Sequence, residues 1–266
     1  MRFAANLSML FTEHPFEARF AAARAAGFDA VEFLFPYALP PERIADLLAE
    51  NGLEQVLFNC PPGDWEGGER GLACLPGREA ELAEGVETAL RYAAALRCPR
   101  VHLMSGIRPE GLPLTELDRT WRANVSRAAR RCAEAGVALL VEPINPYDMP
   151  GYHLNDFGRA LELIEGLRAE GAPVLLQFDI YHCARIHGDV PGWIARAAPL
   201  IAHFQIAGVP DRHEPDLDAP AVGGALAAAR RHAPGAAIGC EYRPAGRTED
   251  GLGWLARARE EFGCTS

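Results

Sequence analysis

Short apolar runs alternate with longer amphipathic segments along the whole chain. Apolar runs of roughly four to eight residues predict buried strands, whereas longer amphipathic segments bounded by Pro or Gly predict helices. Strands are predicted at residues 2–7, 29–35, 53–59, 100–105, 137–142, 174–179, 201–207 and 236–241. Helices are predicted at residues 16–26, 41–50, 78–96, 114–135, 155–168, 190–198, 224–232 and 251–262, with Asn155 as the N-cap of the fifth.

This order of elements predicts a closed (β/α)8 TIM barrel. Strands that alternate with helices form parallel βαβ units, and eight such units fit a barrel of about 250 residues. The alternative, an open doubly wound sheet, is disfavoured because no GxGxxG motif follows the first strand. No shift in composition marks a second domain, so we predict one domain over residues 1–266, with longer loops at residues 60–77 and 208–223.

The charge balance excludes several kinds of chemistry. Acidic residues number 36 and basic residues 26, which gives a net charge of −10, and every basic residue is Arg. Without lysine there is no Schiff-base residue, no pyridoxal-phosphate anchor and no phosphate-loop lysine. A net charge this negative also disfavours nucleic-acid binding, because it repels a polyanion.

The cysteines and the apolar runs bear on the cellular compartment. The seven cysteines are scattered and include no CxxC pair, which is typical of reduced, buried thiols. Asn6 and Ser8 interrupt the apolar N-terminus, so it does not resemble a signal peptide. No apolar run approaches the ~18 residues that a membrane span needs. We therefore expect a cytoplasmic protein with no membrane contact.

Polar side chains stand at the ends of the predicted strands, where the active sites of TIM barrels lie. They are Asn6, Glu32, Asn59, His102, Glu142, Asp179, Gln205 and Glu241. A single acid at such a position is expected to cap a helix or to pair with Arg. Three carboxylates at one barrel mouth would repel each other unless a divalent cation lay between them. Together with Gln205 they form an oxygen-rich set, which favours Mg²⁺ or Mn²⁺ over Zn²⁺.

Two further side chains suit a small anionic substrate. His182 follows Asp179 by three residues and is a candidate to polarise a substrate oxygen, although a purely structural role is the alternative. Arg212 is suited to bidentate binding of a carboxylate. For Arg212 the alternative is a salt bridge to Asp211 or Glu214.

Six stretches of the chain resemble the hydroxypyruvate isomerase family, one of the xylose-isomerase-like barrels, whose members isomerise or epimerise sugars. They are RFAANLSMLFTE at residues 2–13, GFDAVEFLFPY at 27–37, VEPIN at 141–145, DMPGY at 148–152, QIAGVPDRHEP at 205–215 and IGCEY at 238–242. The resemblance implies metal ligands at Glu142, Asp179, Gln205 and Glu241. It also implies that Glu142 and Glu241 are the acid and base, and that His182 contacts substrate, as in related epimerases.

The implied activity is the metal-dependent isomerisation of hydroxypyruvate to tartronate semialdehyde through an enediolate, with two substrate oxygens on the metal. We assign His102, His182 and Arg212 to substrate binding. Isomerisation of 2-oxo-tetronate and epimerisation of a keto-sugar are alternatives within the superfamily. An endonuclease-like hydrolase and a non-catalytic sugar-binding protein are alternatives from other classes, and a homo-oligomer is expected from the resemblance. Residues 218–222 depart from the family pattern, because they lack its Glu and Asn.

Overall fold

In the computed structural model, which describes residues 1–262, eight parallel strands form a closed barrel in sequence order. The strands are β1 (Arg2–Asn6), β2 (Ala30–Phe33), β3 (Glu54–Asn59), β4 (Arg100–His102), β5 (Ala138–Val141), β6 (Val174–Asp179), β7 (Ile201–Ile206) and β8 (Ala237–Cys240). This strand order confirms the predicted (β/α)8 barrel. Because the strands are parallel, their carboxyl ends share one rim.

The helices of residues 1–262 follow the predicted pattern, with one addition. They are α1 (Phe16–Ala25), α2 (Pro41–Asn51), α3 (Glu79–Leu96), α4 (Leu114–Glu134), α5 (Phe157–Ala169), α6 (Ile180–Ile186), α7 (Val190–Ala197), α8 (Pro220–His232) and α9 (Gly253–Phe262). The additional helix is α6, which starts directly after β6. Its seven residues are too few to show a helical period, so the pattern did not predict it.

Two helix starts differ from the prediction for identifiable reasons. The N-cap of α5 is Asp156 and not Asn155, because the Asp156 side chain accepts a hydrogen bond from the Arg159 amide. Helix α8 begins at Pro220, since proline suits the first helical turn, and this shortens the predicted 208–223 loop.

In the segment that departs from the family pattern, residues 218–222, the Asp218 carboxylate accepts two hydrogen bonds from Arg257 of α9.

The chain contains two compact units. The first comprises Met1–Leu34, Glu42–Val56 and Gln177–Ser266, and the second comprises Phe35–Pro41 and Leu57–Leu176. In the first unit β1 pairs with β2 and β8, and β8 pairs with β7. In the second unit β4 pairs with β3 and β5. A single domain over residues 1–266 stays a prediction, and residues 263–266 lie outside the described part of the chain.

Side chains from β1, β2, β3 and β8 meet in the core of the first unit. Ala4, Ala30, Val56 and Ala237 form one buried cluster. Strand pairing then aligns Asn6 with Glu32, and Gln205 with Gly239. Polar groups that the sequence separates by up to about 200 residues are therefore adjacent, at the carboxyl ends of β1, β2, β7 and β8.

The six cysteines between residues 1 and 262 are buried, while Cys264 lies outside the described residues. No helix in this part of the chain is both long enough and apolar enough to cross a membrane.

Candidate active site

All eight polar residues predicted at strand ends are buried. The first unit contains Asn6, Glu32, Asp179, Gln205 and Glu241, and the second contains Asn59, His102 and Glu142. A buried polar or charged group is costly unless it has partners, so the partners of each group indicate what it can do.

Asp179 uses its two carboxylate oxygens differently. Oδ1 caps α6, because it accepts hydrogen bonds from the amides of Tyr181 at 2.7 Å and His182 at 3.3 Å. Oδ2 is buried and has no hydrogen-bond partner among residues 1–262. It faces His182 Nε2 and Arg212 Nη2, each at 3.6 Å. Helix capping thus accounts for one oxygen and leaves the other directed at cationic or polar groups.

Arg212 lies against the carboxylates that were predicted to bind metal. Its Nη2 is 2.5 Å from Glu241 Oε2 and 3.6 Å from Asp179 Oδ2. A salt bridge of Arg212 to Asp211 or Glu214, the predicted alternative, stays a prediction. The Glu214 carboxylate accepts a hydrogen bond from the amide of Ala245.

The Arg212 backbone explains why its side chain points inward. Its φ angle is +57°, in the left-handed region, which turns the chain sharply at this residue. The turn is held because Arg212 donates to the Gly208 carbonyl and accepts from the Arg243 amide. The side chain keeps 15% of its surface exposed, so it can be reached from solvent.

Burial shifts the ionisation of both acids toward the neutral form. Desolvation raises the pKa of Glu241 to about 8, and the Arg212 guanidinium opposes this shift. Desolvation also raises the pKa of Asp179 to about 6, again with Arg212 opposing. The charges of Asp179 and Glu32 raise the pKa of Glu241 further. The two carboxylates therefore repel each other, and a positive charge beside them stabilises their ionised forms.

Gln205 is held by partners on both sides of its amide. Its Oε1 accepts a hydrogen bond from Gln177 Nε2 at 2.6 Å, and its Nε2 donates to Glu32 Oε1 at 2.9 Å. Glu32 also lies 2.6 Å from His203 Nε2. The sequence interpretation noted Glu32 only as a strand end and omitted His203. The signal was available, because His203 and Gln205 are two residues apart in one strand and share a face.

In the second unit, His102 lies beside Glu142. Glu142 directly follows β5, and its Oε2 is 3.7 Å from His102 Nε2. The other ring nitrogen of His102, Nδ1, is 3.2 Å from Asn59 Oδ1. Because an amide oxygen only accepts, His102 donates from Nδ1, and Nε2 is the nitrogen directed at Glu142.

The sequence matches a known family. A family model described as a xylose isomerase-like TIM barrel matches residues 20–258. The chain belongs to this family. It is 47% identical to the 2-oxo-tetronate isomerase of Cupriavidus necator, over 96% of this chain and 97% of that protein. It is 40% identical to the hydroxypyruvate isomerase of Escherichia coli, over 96% of this chain and 98% of that protein.

A solved structure shares the same barrel. The protein from Brucella melitensis named AP endonuclease, family 2, superposes with a TM-score of 0.90 and 43% identity, over 96% of this chain and 98% of that one. The curated relatives of this xylose isomerase-like barrel at 40% and 47% identity are isomerases, and the chain is an isomerase enzyme.

Proposed function

We propose that the protein isomerises hydroxypyruvate to tartronate semialdehyde with the help of a divalent cation. The observation that carries this proposal is the group of Asp179, Glu241 and Arg212, in which two buried carboxylates share one positive charge. Such a group suits a reaction in which negative charge develops on substrate oxygens and a proton moves between carbons. The isomerase relatives support the reaction class.

The residues of this site fit a hard divalent cation. Asp179 Oδ2 is buried without a hydrogen-bond partner in the described chain, and it belongs to a carboxylate whose ionised form needs a nearby positive charge. Oxygen donors of this kind are those that Mg²⁺ and Mn²⁺ prefer. We propose Glu142, Asp179, Gln205 and Glu241 as the ligands, the set that the resemblance of the sequence implies. When bound, the ion would act as a Lewis acid toward the two adjacent oxygens of the substrate.

The proton transfer is assigned to Glu142 and Glu241. In the forward direction, one glutamate removes a proton from C3 of hydroxypyruvate, and an enediolate forms as the C3–H bond breaks. A proton is then delivered to C2, the C3 hydroxyl becomes the aldehyde, and the C2 carbonyl becomes the hydroxyl. No atom is gained or lost. The raised pKa of Glu241 suits proton exchange near neutral pH.

Three side chains are assigned to holding the substrate. Arg212 is suited to its carboxylate because guanidinium groups bind carboxylates through two parallel hydrogen bonds, and this chain contains no lysine that could replace it. His182 beside Asp179 is suited to donate to a substrate oxygen on which negative charge develops. His102, whose Nδ1 donates to Asn59, presents Nε2 beside Glu142 and is suited to accept a hydrogen bond from a substrate hydroxyl.

A substrate panel tests the proposal. The purified protein is assayed with hydroxypyruvate, 2-oxo-tetronate and a ketose, each with Mg²⁺, with Mn²⁺ and with a chelator. We expect the highest kcat/KM with hydroxypyruvate and loss of activity with chelator. The four-carbon acid is included because the 47% identical relative is named for it. A higher kcat/KM with 2-oxo-tetronate would replace the proposed substrate, and chelator-resistant turnover would remove the cation.

One further arm addresses DNA cleavage, since the Brucella melitensis structure is named as an endonuclease. A duplex that contains an abasic site is incubated with the protein and the same metals. We expect no cleavage, because a net charge of −10 disfavours approach of a polyanion. Metal-dependent strand cleavage without isomerase activity would overturn the proposed function.

A further inference from the structure

The Glu32 carboxylate is buried and accepts hydrogen bonds from three side chains. Asn6 Nδ2 and Gln205 Nε2 each lie 2.9 Å from Oε1, and His203 Nε2 lies 2.6 Å from Oε2. Both Glu32 and His203 are buried. A buried carboxylate with this many donors is rigidly held, because the loss of any one donor leaves part of its desolvation cost uncompensated.

The backbone of β8 makes room for this carboxylate at Gly239. A Cβ added to Gly239 would lie 2.2 Å from both Oε1 and Oε2 of Glu32, which is far below a van der Waals contact. Gly239 does not have a left-handed φ angle, so its conformation alone does not demand glycine. The missing side chain is therefore explained by the close approach of Glu32.

Two of the three donors connect Glu32 to proposed metal ligands, because Gln205 is itself such a ligand and Asn6 contacts Glu241. An ionised carboxylate only accepts hydrogen bonds, so Gln205 must present Nε2 to Glu32 and its oxygen to the opposite side. Asn6 Nδ2, which donates to Glu32, also lies 3.4 Å from Glu241 Oε1. Glu32 is thus connected to both Gln205 and Glu241, although the proposed function assigns it no part.

We propose that Glu32, supported by His203, is a positioning residue that orients Gln205 and Glu241 for the divalent cation. This inference rests on the proposed function, because it concerns the same cation. Partners that orient the ligands of a metal typically change its affinity by about 10- to 100-fold when they are removed. The proposal therefore predicts an effect on metal binding that loss of fold stability alone would not produce.

The test is Mn²⁺ binding, followed through the electron paramagnetic resonance signal of free Mn²⁺, for the wild type and two variants. Glu32→Gln removes the negative charge and replaces one acceptor oxygen by an NH2 donor, either the oxygen that faces both Asn6 and Gln205 or the one that faces His203. Gly239→Ala changes no hydrogen-bonding group and instead displaces the Glu32 carboxylate from its donors. We expect each variant to bind Mn²⁺ about 10- to 100-fold more weakly than the wild type.

Matched controls separate positioning from stability. Gly235→Ala is the control for Gly239→Ala, because its added Cβ meets nothing within 4 Å and Gly235 lacks a left-handed φ. Asn124→Ala removes a buried side chain that donates to the Ala73 carbonyl, so it lowers Tm without touching the site. Both controls should bind Mn²⁺ as the wild type does.

The outcomes distinguish this inference from the proposed function. If the wild type binds Mn²⁺ and both variants bind it equally well, the positioning role is wrong while the proposed function stands. The role is also wrong if Asn124→Ala weakens Mn²⁺ binding as much as the two variants do at the same loss of Tm. If the wild type itself binds no Mn²⁺ or Mg²⁺, the metal-dependent function fails and the positioning role fails with it.

Discussion

Arg212 Nη2 lies 2.5 Å from Glu241 Oε2, and the same nitrogen is 3.6 Å from Asp179 Oδ2. One guanidinium therefore carries the positive charge that two buried carboxylates need. Under the proposed function this charge has a second use, because a divalent ion beside the carboxylates would leave Arg212 available to a substrate carboxylate.

Replacing Arg212 tests both uses of its charge. In Arg212→Met the pKa of Glu241 rises, since the guanidinium is the main group that lowers it. We expect the acid limb of the pH–rate profile to move to higher pH, and KM for hydroxypyruvate to rise by at least tenfold. Steady-state kinetics between pH 5 and pH 9 measure both effects. Arg247→Met is the control, because Arg247 pairs with Glu249 in an exposed ion pair; equal profiles for the two variants would contradict the assignment.

Replacing Glu241 tests its assignment to proton transfer. Glu241→Gln keeps the shape of the side chain but removes the group that accepts the proton. General acid–base catalysis typically contributes 10²- to 10⁴-fold, so we expect kcat to fall by about that factor. The exposed Glu249→Gln is the matched control. Normal turnover in Glu241→Gln, with undiminished incorporation of solvent deuterium, would remove Glu241 from the chemistry.

The stability of the metal-free protein should fall as pH rises. Burial raises the pKa of Glu241 from the model-compound value of 4.5 to about 8, so the folded state binds its proton more tightly than the unfolded state does. The stabilisation is fully present below pH 4.5 and is lost as pH rises toward 8. The measurement is Tm against pH in chelator for wild type and Glu241→Gln. Between pH 4.5 and pH 8, the Tm of the wild type should fall relative to the Tm of Glu241→Gln. Parallel curves of Tm against pH for the two proteins would contradict the raised pKa of Glu241.

Mg²⁺ or Mn²⁺ should reverse this loss at alkaline pH, because a ligand that binds only the folded state stabilises it. At a metal concentration about 100 times Kd, the expected gain is about 2.7 kcal/mol. Thermal unfolding at pH 8 with and without metal measures it. The Asp179→Asn variant is expected to gain less, and equal gains in the two proteins would exclude Asp179 as a ligand.

The helix cap of α5 offers a test of the fold itself. Asp156 accepts a hydrogen bond from the Arg159 amide at 2.8 Å. Asp156→Ala should therefore destabilise the protein by about 1 kcal/mol, whereas Asn155→Ala should have a smaller effect. Urea unfolding of the two variants makes the comparison. A larger loss of stability in Asn155→Ala than in Asp156→Ala would instead support Asn155, the N-cap predicted from the sequence.

Much of the fold could be predicted from the apolar pattern, because short apolar runs mark the strands and longer amphipathic segments mark the helices. Helix α6 could not, since its few residues follow β6 without a break and Asp179 is both the end of the strand and the cap of the helix. The strand-end acids could be placed because parallel strands present their ends at one rim. The pairing of Arg212 with Glu241 could not, because it depends on a backbone turn with positive φ at a non-glycine residue.

The central claim is that an isomerase with buried carboxylates moves a carbon-bound proton of hydroxypyruvate in a reaction that needs a divalent cation. Proton NMR of hydroxypyruvate in deuterium oxide, with Mg²⁺ or with chelator, tests it most directly. In the presence of Mg²⁺ we expect tartronate semialdehyde that carries deuterium at C2. In the presence of chelator we expect neither this product nor exchange of deuterium into hydroxypyruvate. Equal rates of product formation with Mg²⁺ and with chelator would contradict it.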